Sequence, residues 1–228
     1  DVVYSCYSGY AEKATSPIPP IATYWYNPNV TCYDYDVSEA RRLLDEAMYD
    51  NSTQITLMVY NNVDVMRVDA AQKIVTYLQN VGVNISLTPG SAGQLFSEIF
   101  DKHEFNVTLQ SWGLWPDPDY LYNQFHTGGE FNAWGYSNPM VDYWLEIGRN
   151  STDLTIRKDA YFNIQQKLSE DMPNFFAYYA KRVHAYNNDF HGMTFSPQRI
   201  GWPYYLAKVW DEPTLSGEGN CPYRICFI

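Results

Sequence analysis

The chain has 228 residues, of which 46% are hydrophobic and only 18% are charged. It can therefore bury a core of ordinary size, and it is neither a disordered tail nor a coiled coil. Fifteen Lys and Arg against 26 Asp and Glu give a net charge of −11, which disfavours nucleic acid and anionic membrane surfaces as partners because both would be repelled.

Five Asn-X-Ser/Thr acceptor sequences favour a location outside the cell. Their asparagines are Asn29, Asn51, Asn84, Asn106 and Asn150. The chain has 17 Asn and 27 Ser and Thr residues, so about two such sequences would arise by chance, and accidental sequons remain an alternative. We expect glycosylation at several of the five, on a protein exposed at a cell surface.

The four cysteines agree with an oxidising compartment, because their number is even. Cys221 and Cys226 enclose only four residues, and Cys6 and Cys32 both lie in the Pro-rich N-terminal region. Of the three possible connectivities, we favour Cys6 with Cys32 and Cys221 with Cys226. A zinc site would want paired C-x-x-C sequences or nearby His, and the sequence has neither, so we expect no metal.

Predicted helices and strands alternate through the first part of the chain. Residues 1–35 are rich in Pro and aromatic residues and predict an ordered loop. Asp36-Val-Ser-Glu39 is a capping box that predicts a helix over about 37–48. Hydrophobic patterns then predict a strand over 55–59, a helix from 68 to the stop at Gly82, a strand over 83–87, a helix over 91–100 and a strand over 105–110. This order is typical of an α/β sheet covered by crossover helices.

The second half begins with residues 111–137, a connection longer than compact domains usually contain, and this length makes it the first candidate for a functional site. Asn138-Pro139 opens a helix with an apolar face of Val141, Trp144, Leu145 and Ile147. A longer helix over 154–170 is predicted to turn Ile156, Tyr161, Ile164 and Leu168 inward. A strand over 175–186 follows, and coil extends to Ile228.

Sequence motifs of known catalytic chemistry are missing. The four His show no metal-binding spacing, and there is no G-x-S-x-G and no phosphate-binding G-x-x-x-x-G-K. Asp117 and Asp119 share a loop, as two glycosidase acids could, but Asp beside Pro is more often a turn former. We therefore predict a protein that is not an enzyme and needs no cofactor.

The positive signal is aromatic and lies within residues 111–137. Flat apolar faces beside amide and carboxylate groups suit a neutral polar ligand such as a sugar or a peptide. The predicted ligand-binding residues are Trp112, Trp115, Asp117, Asn132 and Trp134. The alternative is that half of these aromatic residues only pack the domain.

The order of the motifs resembles the family 5 extracellular solute-binding proteins, the peptide- and nickel-binding receptors of ABC importers. The matching segments are Ser16-Pro-Ile-Pro-Pro20, Tyr35-Asp36 with the helix over 40–49, Phe105-Asn-Val107, Trp112 with Trp115-Pro-Asp-Pro118, Tyr136-Ser-Asn-Pro139 with Asp142, Asp153 with Arg157 and Tyr161, Asp171-Met-Pro173, and Gly192. Each segment is weak evidence alone, and the shared order carries the resemblance.

This resemblance implies a receptor whose two lobes close around a solute, which it hands to a membrane ABC permease. It also implies that this short chain is the C-terminal half of such a protein, as a fragment or a cleaved product. Residues 1–35 would connect to a missing first lobe. Residues 36–172 would form the ligand-binding lobe of periplasmic-binding-protein-like type II fold, and 173–228 would return in part to the first lobe.

One departure from the family bears on the ligand. Peptide binders of the family have an acidic residue three positions after the Trp, where this sequence has Trp115. Without that counter-charge an α-amine would bind less well, which shifts the expected ligand from oligopeptide toward oligosaccharide and leaves both open. Sequons in a prokaryotic family suggest an archaeal surface protein. A self-assembling filament or surface-layer subunit built from a solute-binding fold is the alternative function.

Overall fold

The computed structural model describes residues 1–61, 65–113 and 115–181, together with strands at 183–187 and 223–227. In these ranges the helices are α1 (Val2–Tyr7), α2 (Val37–Glu46), α3 (Val65–Asn80), α4 (Ala92–Phe96), α5 (Tyr120–Phe125), α6 (Pro139–Asn150) and α7 (Leu154–Asp171). A π-helical turn, Ser97–Asp101, continues α4. The strands are β1 (Ala11–Lys13), β2 (Ile55–Tyr60), β3 (Ile85–Gly90), β4 (Val107–Leu109), β5 (Tyr178–Ala180), β6 (Val183–Asn187) and β7 (Tyr223–Phe227).

A three-stranded parallel sheet with strand order β3-β2-β4 forms one layer. Ile55 of β2 pairs with Ile85 of β3, and Leu57 pairs with Val107 of β4. Parallel neighbours need a crossover connection, which α3 supplies between β2 and β3. The core between α3 and the sheet consists of Leu57, Val59, Ala71, Val75 and Ile85. The predicted α/β class is therefore confirmed.

Helices α5, α6 and α7 pack together with the segment around Ile18 and form a second core, separate from that of the sheet. This second core consists of Ile18, Leu121, Phe125, Val141, Leu145, Tyr161, Ile164 and Leu168. Helices α6 and α7 approach closely at Gly148, where an added Cβ would lie 2.8 Å from the Tyr161 ring. The predicted inward orientation of Ile156 is wrong. This residue lies in the first turn of α7, beside the connection from α6, and is 50% exposed.

Residues 1–35 contain more regular structure than their Pro content predicts. Helix α1 packs against α3 through Tyr7 and Ala70. Strand β1 pairs with β5 in antiparallel fashion, with Ala11 opposite Ala180. Because its partner lies near the other end of the chain, no local pattern in 1–35 reveals the strand.

The strand predicted over 175–186 is in fact two short strands with different partners. Strand β5 pairs with β1, whereas β6 pairs with β7 in antiparallel fashion. Strand β7 lies in the region predicted as coil, so that prediction is wrong at 223–227. Both differences arise from pairing between segments that are distant in sequence, which hydrophobic periodicity does not record.

Helix α2 has the Asp36 cap of the predicted capping box, but its Glu39 side chain binds Arg42, and the helix is not buried. The Asp36 carboxylate accepts a hydrogen bond from the Glu39 N–H at 2.9 Å. The Glu39 carboxylate accepts from Arg42 on the next turn. The helix ends at Glu46, two residues earlier than predicted, and none of its residues is buried. It is therefore held mainly by local interactions.

The structure does not contain the predicted Cys6–Cys32 disulfide, since both residues are free cysteines. Cys6 lies in α1 and packs toward the cluster of Tyr7, Ala11 and Ala70. Cys32 is exposed, and its thiol donates to the Val30 carbonyl at 3.4 Å. The two thiols lie in different local environments. Their closeness in sequence therefore does not predict a disulfide between them. Cys221 lies outside the described residues, so the pairing of Cys221 with Cys226 stays a prediction.

Candidate functional site

The three parallel strands end at one edge of their sheet, at Tyr60, Gly90 and Leu109. Ligands of open α/β sheets bind beyond the carboxyl ends of the strands, where the connecting loops converge. Here the helical segment 92–101 follows β3, and the long segment that begins at 110 follows β4. Aromatic rings of these two segments contact one another, as described next. We therefore take the carboxyl edge of the sheet as the candidate site.

Four aromatic rings form a cluster at this edge, which we call the aromatic surface: Phe96, Phe100, Trp112 and Phe131. The ring centroids of Phe96 and Phe100 are 4.8 Å apart. Phe100 is 6.2 Å from Trp112 and 5.9 Å from Phe131, and both contacts are edge-on. Phe96 is 45% exposed and Trp112 is 41% exposed, so large apolar groups face solvent here.

A buried arginine connects two segments at the carboxyl edge of the sheet. Arg67, in the first turns of α3, is 8% exposed, and its guanidinium donates to the Ser111 hydroxyl at 2.7 Å. Burial raises the pKa of the Tyr60 hydroxyl, and the charge of Arg67 opposes this increase. Arg67 therefore ties the start of α3 to the segment that follows β4.

Asp117 is engaged in a paired interaction within the chain. Its two carboxylate oxygens accept from Arg157 at 2.7 and 2.9 Å, and one oxygen also accepts the Asp119 N–H at 2.9 Å. Hydrogen bonding to Arg157 lowers the pKa of Asp117. Asp119 is paired with Arg149 in the same two-pronged way. Each of the two acids therefore binds an arginine and anchors the loop to α6 and α7, as turn-forming acids would.

Asn132 organises its own loop. Its side-chain amide donates to the His126 carbonyl at 3.0 Å and to the Tyr136 carbonyl at 2.7 Å. Its side-chain oxygen accepts the Tyr136 N–H at 3.0 Å. This set of bonds holds residues 126–136 in a compact turn, which places Phe131 at the aromatic surface.

The structure distributes the three predicted tryptophans over different environments. Trp112 belongs to the aromatic surface. Trp115 is 55% exposed and has no ring contact with another described residue. Trp134 lies beneath the surface, with its ring 5.8 Å from Phe125, and its indole N–H is buried without a hydrogen-bond partner among the described residues.

Sequence reasoning missed three residues of the aromatic surface: Phe96, Phe100 and Phe131. A signal was present, because Phe96 and Phe100 are four positions apart on a predicted helix and so share one face. Leu95 and Ile99 fill the core beneath this face, and Phe100 packs against that core. Phe96 is 45% exposed.

Groups suited to metal binding were not found in the described part of the chain, which has no cluster of three or more His, Cys, Asp or Glu that could hold an ion. None of the described helices is both long enough and apolar enough to cross a membrane. A recess of about 40 Å³ lies among residues 13–15, 31–33 and 169–177. This volume is far below the roughly 300 Å³ at which ligand pockets begin.

The five sequon asparagines are all exposed. Three of them lie at the opposite, amino edge of the parallel sheet, and we call Asn51, Asn84 and Asn106 the sequon cluster. Asn84 and Asn106 directly precede β3 and β4. The Asn84 amide donates to the Asn51 carbonyl at 3.2 Å, and the Asn106 side-chain oxygen accepts the Thr56 N–H at 3.0 Å. The sequon cluster and the aromatic surface therefore lie at opposite ends of the same strands.

Comparison with known sequences gives a consistent result. The family described as bacterial extracellular solute-binding proteins, family 5 Middle, matches residues 1–133. The glutathione-binding protein GsiB of Pectobacterium atrosepticum is 30% identical over 85% of this chain and 39% of its own length. The nickel-binding protein NikA of Staphylococcus aureus is 26% identical over 85% of this chain and 40% of its own length. The chain thus spans about two fifths of these relatives.

Solved structures show the same fold. The oligopeptide-binding protein AppA of Bacillus subtilis, in complex with a nonapeptide, is similar with a TM-score of 0.75 and 21% identity, over 87% of this chain and 42% of its own. A dipeptide-binding protein from Pseudoalteromonas, in complex with Met-Leu, has a TM-score of 0.75 and 23% identity, over 86% of this chain and 40% of its own. At this level of identity the likeness concerns the fold alone.

Proposed function

Because the chain belongs to family 5 of the extracellular solute-binding proteins, we propose that the complete protein is the receptor of an ABC importer and that its ligand is an oligopeptide. The receptor binds its solute outside the membrane and delivers it to the permease. It performs no chemical step on the ligand. We also propose that the complete protein is attached to the cell surface.

The observation that carries the proposal is the aromatic surface at the carboxyl edge of the parallel sheet. Partly exposed Phe96 and Trp112 are costly in water and gain free energy when a ligand covers them. The site is open rather than enclosed, as one wall of a cleft between two lobes would be. The second wall would belong to a part of the complete protein outside this chain, which spans about two fifths of its relatives.

A peptide fits the surroundings of this surface better than an oligosaccharide does. Sugar binding combines stacking on a ring with hydrogen bonds from nearby polar groups. The two polar residues predicted to supply such bonds are occupied, Asp117 by Arg157 and Asn132 by backbone groups. The glutathione-binding protein GsiB, which is 30% identical over 85% of this chain, supports the same choice because glutathione is a tripeptide.

Isothermal titration calorimetry on the full-length protein tests the proposal. A panel of peptides of two to nine residues and a panel of oligosaccharides are titrated under the same conditions. We expect saturable one-to-one binding of peptides and no heat from the oligosaccharides. Binding confined to the oligosaccharide panel would contradict the peptide assignment, and a protein that binds neither and forms filaments would favour the structural alternative.

A further inference from the structure

The aromatic surface has a composition that selects among peptides. Its four side chains carry one polar atom among them, the indole nitrogen of Trp112. Two polar side chains of the adjoining segments are already engaged, Ser111 with Arg67 and His103 with the Ala133 carbonyl at 3.2 Å. Against the four rings themselves, a charged or strongly polar group would lose its water without gaining a hydrogen-bond partner, which is unfavourable.

The geometry points to a subsite for one apolar side chain of the bound peptide, formed by Phe96, Phe100, Trp112 and Phe131. This inference rests on the proposed function and goes further, because it assigns a preference for the kind of side chain that contacts this lobe. Leu, Ile, Met, Val and Phe are the favoured side chains. Gly, Ser and Asp are the disfavoured ones.

The arrangement of the rings suits an apolar side chain better than a flat sugar ring. The Phe100 plane lies at 86° to both the Trp112 and the Phe131 planes, so the surface contains ring faces that point in different directions. An aliphatic or aromatic side chain can contact several of these faces at once. Extended stacking instead requires one flat face.

The subsite is held rigidly from below. Leu95 and Ile99 are at most 1% exposed, and they anchor the helical segment that carries Phe96 and Phe100. Gly90 at the end of β3 lets Leu95 approach, since a Cβ on Gly90 would lie 3.0 Å from the Leu95 side chain. Rings fixed in this way lose little freedom on binding, which favours selectivity.

A selection experiment with the full-length protein tests the subsite. The immobilised receptor is equilibrated with a synthetic pool of peptides of two to nine residues, and the retained peptides are sequenced by mass spectrometry. We expect the favoured side chains to be enriched over the disfavoured ones by about tenfold at one peptide position, the scale of burying one such side chain.

The variant Phe100→Ala should lower that enrichment to about twofold or less while peptides still bind through the rest of the cleft. Phe100→Leu, which keeps most of the buried volume, should retain part of the preference and serves if the alanine variant does not fold. Tyr143→Ala is the matched control. It removes a ring that is 61% exposed on α6, outside the aromatic surface, and should leave the enrichment unchanged.

The outcomes separate the two proposals. Peptides retained without enrichment, or with an enrichment that Phe100→Ala leaves intact, would overturn the subsite and leave the receptor function standing. A receptor that retains no peptide at all overturns both. Loss of enrichment in Tyr143→Ala to the same extent as in Phe100→Ala would also overturn the subsite, because the effect would then be general.

Discussion

The buried amide of Gln165 joins the N-terminal segment of the chain to helix α7. Its oxygen accepts from the Ser16 hydroxyl at 3.0 Å and from the Asn27 N–H at 3.1 Å. Its nitrogen donates to the Trp25 carbonyl at 2.8 Å. Gln165 is fully buried, so these partners have no access to water if the amide is removed.

We expect Gln165→Leu to lower the free energy of unfolding by about 3 kcal/mol, because the Asn27 N–H and the Trp25 carbonyl lose the amide that satisfies them in the interior. Urea denaturation of the two proteins measures the difference. Gln166→Leu is the matched control. This neighbour binds Thr31 and Glu170 at a more exposed position, and its replacement should change stability by no more than about 0.5 kcal/mol. Equal losses in both variants would refute the role assigned to Gln165.

The pairing of Asp117 with Arg157 should make stability depend on pH in the acid range. Arg157 lowers the pKa of Asp117 in the folded state, so the pair stabilises the protein above the ordinary carboxyl pKa of about 3.9. That contribution is lost as pH falls through the lowered pKa.

At neutral pH, Asp117→Asn should therefore lower the free energy of unfolding by about 1 kcal/mol. The loss is this small because half of the Asp117 side chain is exposed, so water weakens its interaction with Arg157. The difference between the two proteins should shrink when denaturation is repeated near pH 2. Asp34→Asn, at a carboxylate that binds Lys13 while 95% exposed, should leave stability unchanged at either pH. A difference for Asp117→Asn that is constant with pH would exclude the electrostatic explanation.

Sequence reasoning at the residue scale does not reveal the partners that polar side chains have within the chain. Asp117 and Asn132 are predicted to bind a ligand because they lie in an aromatic loop, and this stays a prediction. Within the chain, Asp117 pairs with Arg157, forty positions further along, and Asn132 binds the backbone of its own loop. A sequence records which groups are polar, whereas the fold determines which of them are already satisfied.

Helices α2 and α7 share the same kind of N-terminal cap but differ in burial. Asp36 caps α2, which has no buried residue. Asp153 caps α7 by accepting the Thr155 N–H at 2.8 Å, and α7 contributes Tyr161, Ile164 and Leu168 to the core. Loss of the cap on α7 should therefore affect unfolding of the whole protein. Loss of the cap on α2 should affect mainly the local opening of that helix.

Replacement of each cap by alanine should show this difference, since a lost cap costs about 1 kcal/mol of helix stability. Asp153→Ala should lower the global free energy of unfolding by about that amount. Asp36→Ala should leave the global value nearly unchanged and instead speed amide hydrogen exchange in Val37–Glu46. Hydrogen exchange followed by mass spectrometry measures both effects, and a global loss in Asp36→Ala equal to that in Asp153→Ala would contradict the interpretation.

Elements whose cause is local were predictable from sequence, and those whose cause is a distant strand were not. The caps at Asp36, Asn138 and Asp153 mark helices that the structure contains. Strands β1 and β7 carry no comparable local signal, because each forms against a strand far away in the chain. The same limit applies to the aromatic surface, whose rings come from three separate segments.

For the whole molecule, the sequon cluster gives a prediction about modification. Asn51, Asn84 and Asn106 are exposed together at the amino edge of the parallel sheet. The Asn106 side chain uses its oxygen in the structure and leaves its nitrogen, the atom that would carry a glycan, free of hydrogen bonds to other described residues. The alternative, accidental sequons, predicts no modification.

We expect glycans on these three asparagines when the protein is isolated from its native cell surface. Mass spectrometry of its peptides would detect the added mass at each site. Peptides containing Asn61 or Asn123, which lie outside any sequon, provide the control and should be unmodified. Unmodified Asn51, Asn84 and Asn106 in the native protein would remove the main support for an extracellular glycoprotein.

The two edges of the parallel sheet are chemically unlike, with sequons at one and aromatic rings at the other. Glycans at the amino edge would surround it with hydrated, mobile chains that keep other macromolecules at a distance. The carboxyl edge would then be the accessible front of the lobe and the amino edge its shielded back. Any approach by solute, by the preceding part of the protein or by a permease would be restricted to the front and the flanks, so the direction of encounter would be set before any specific contact forms.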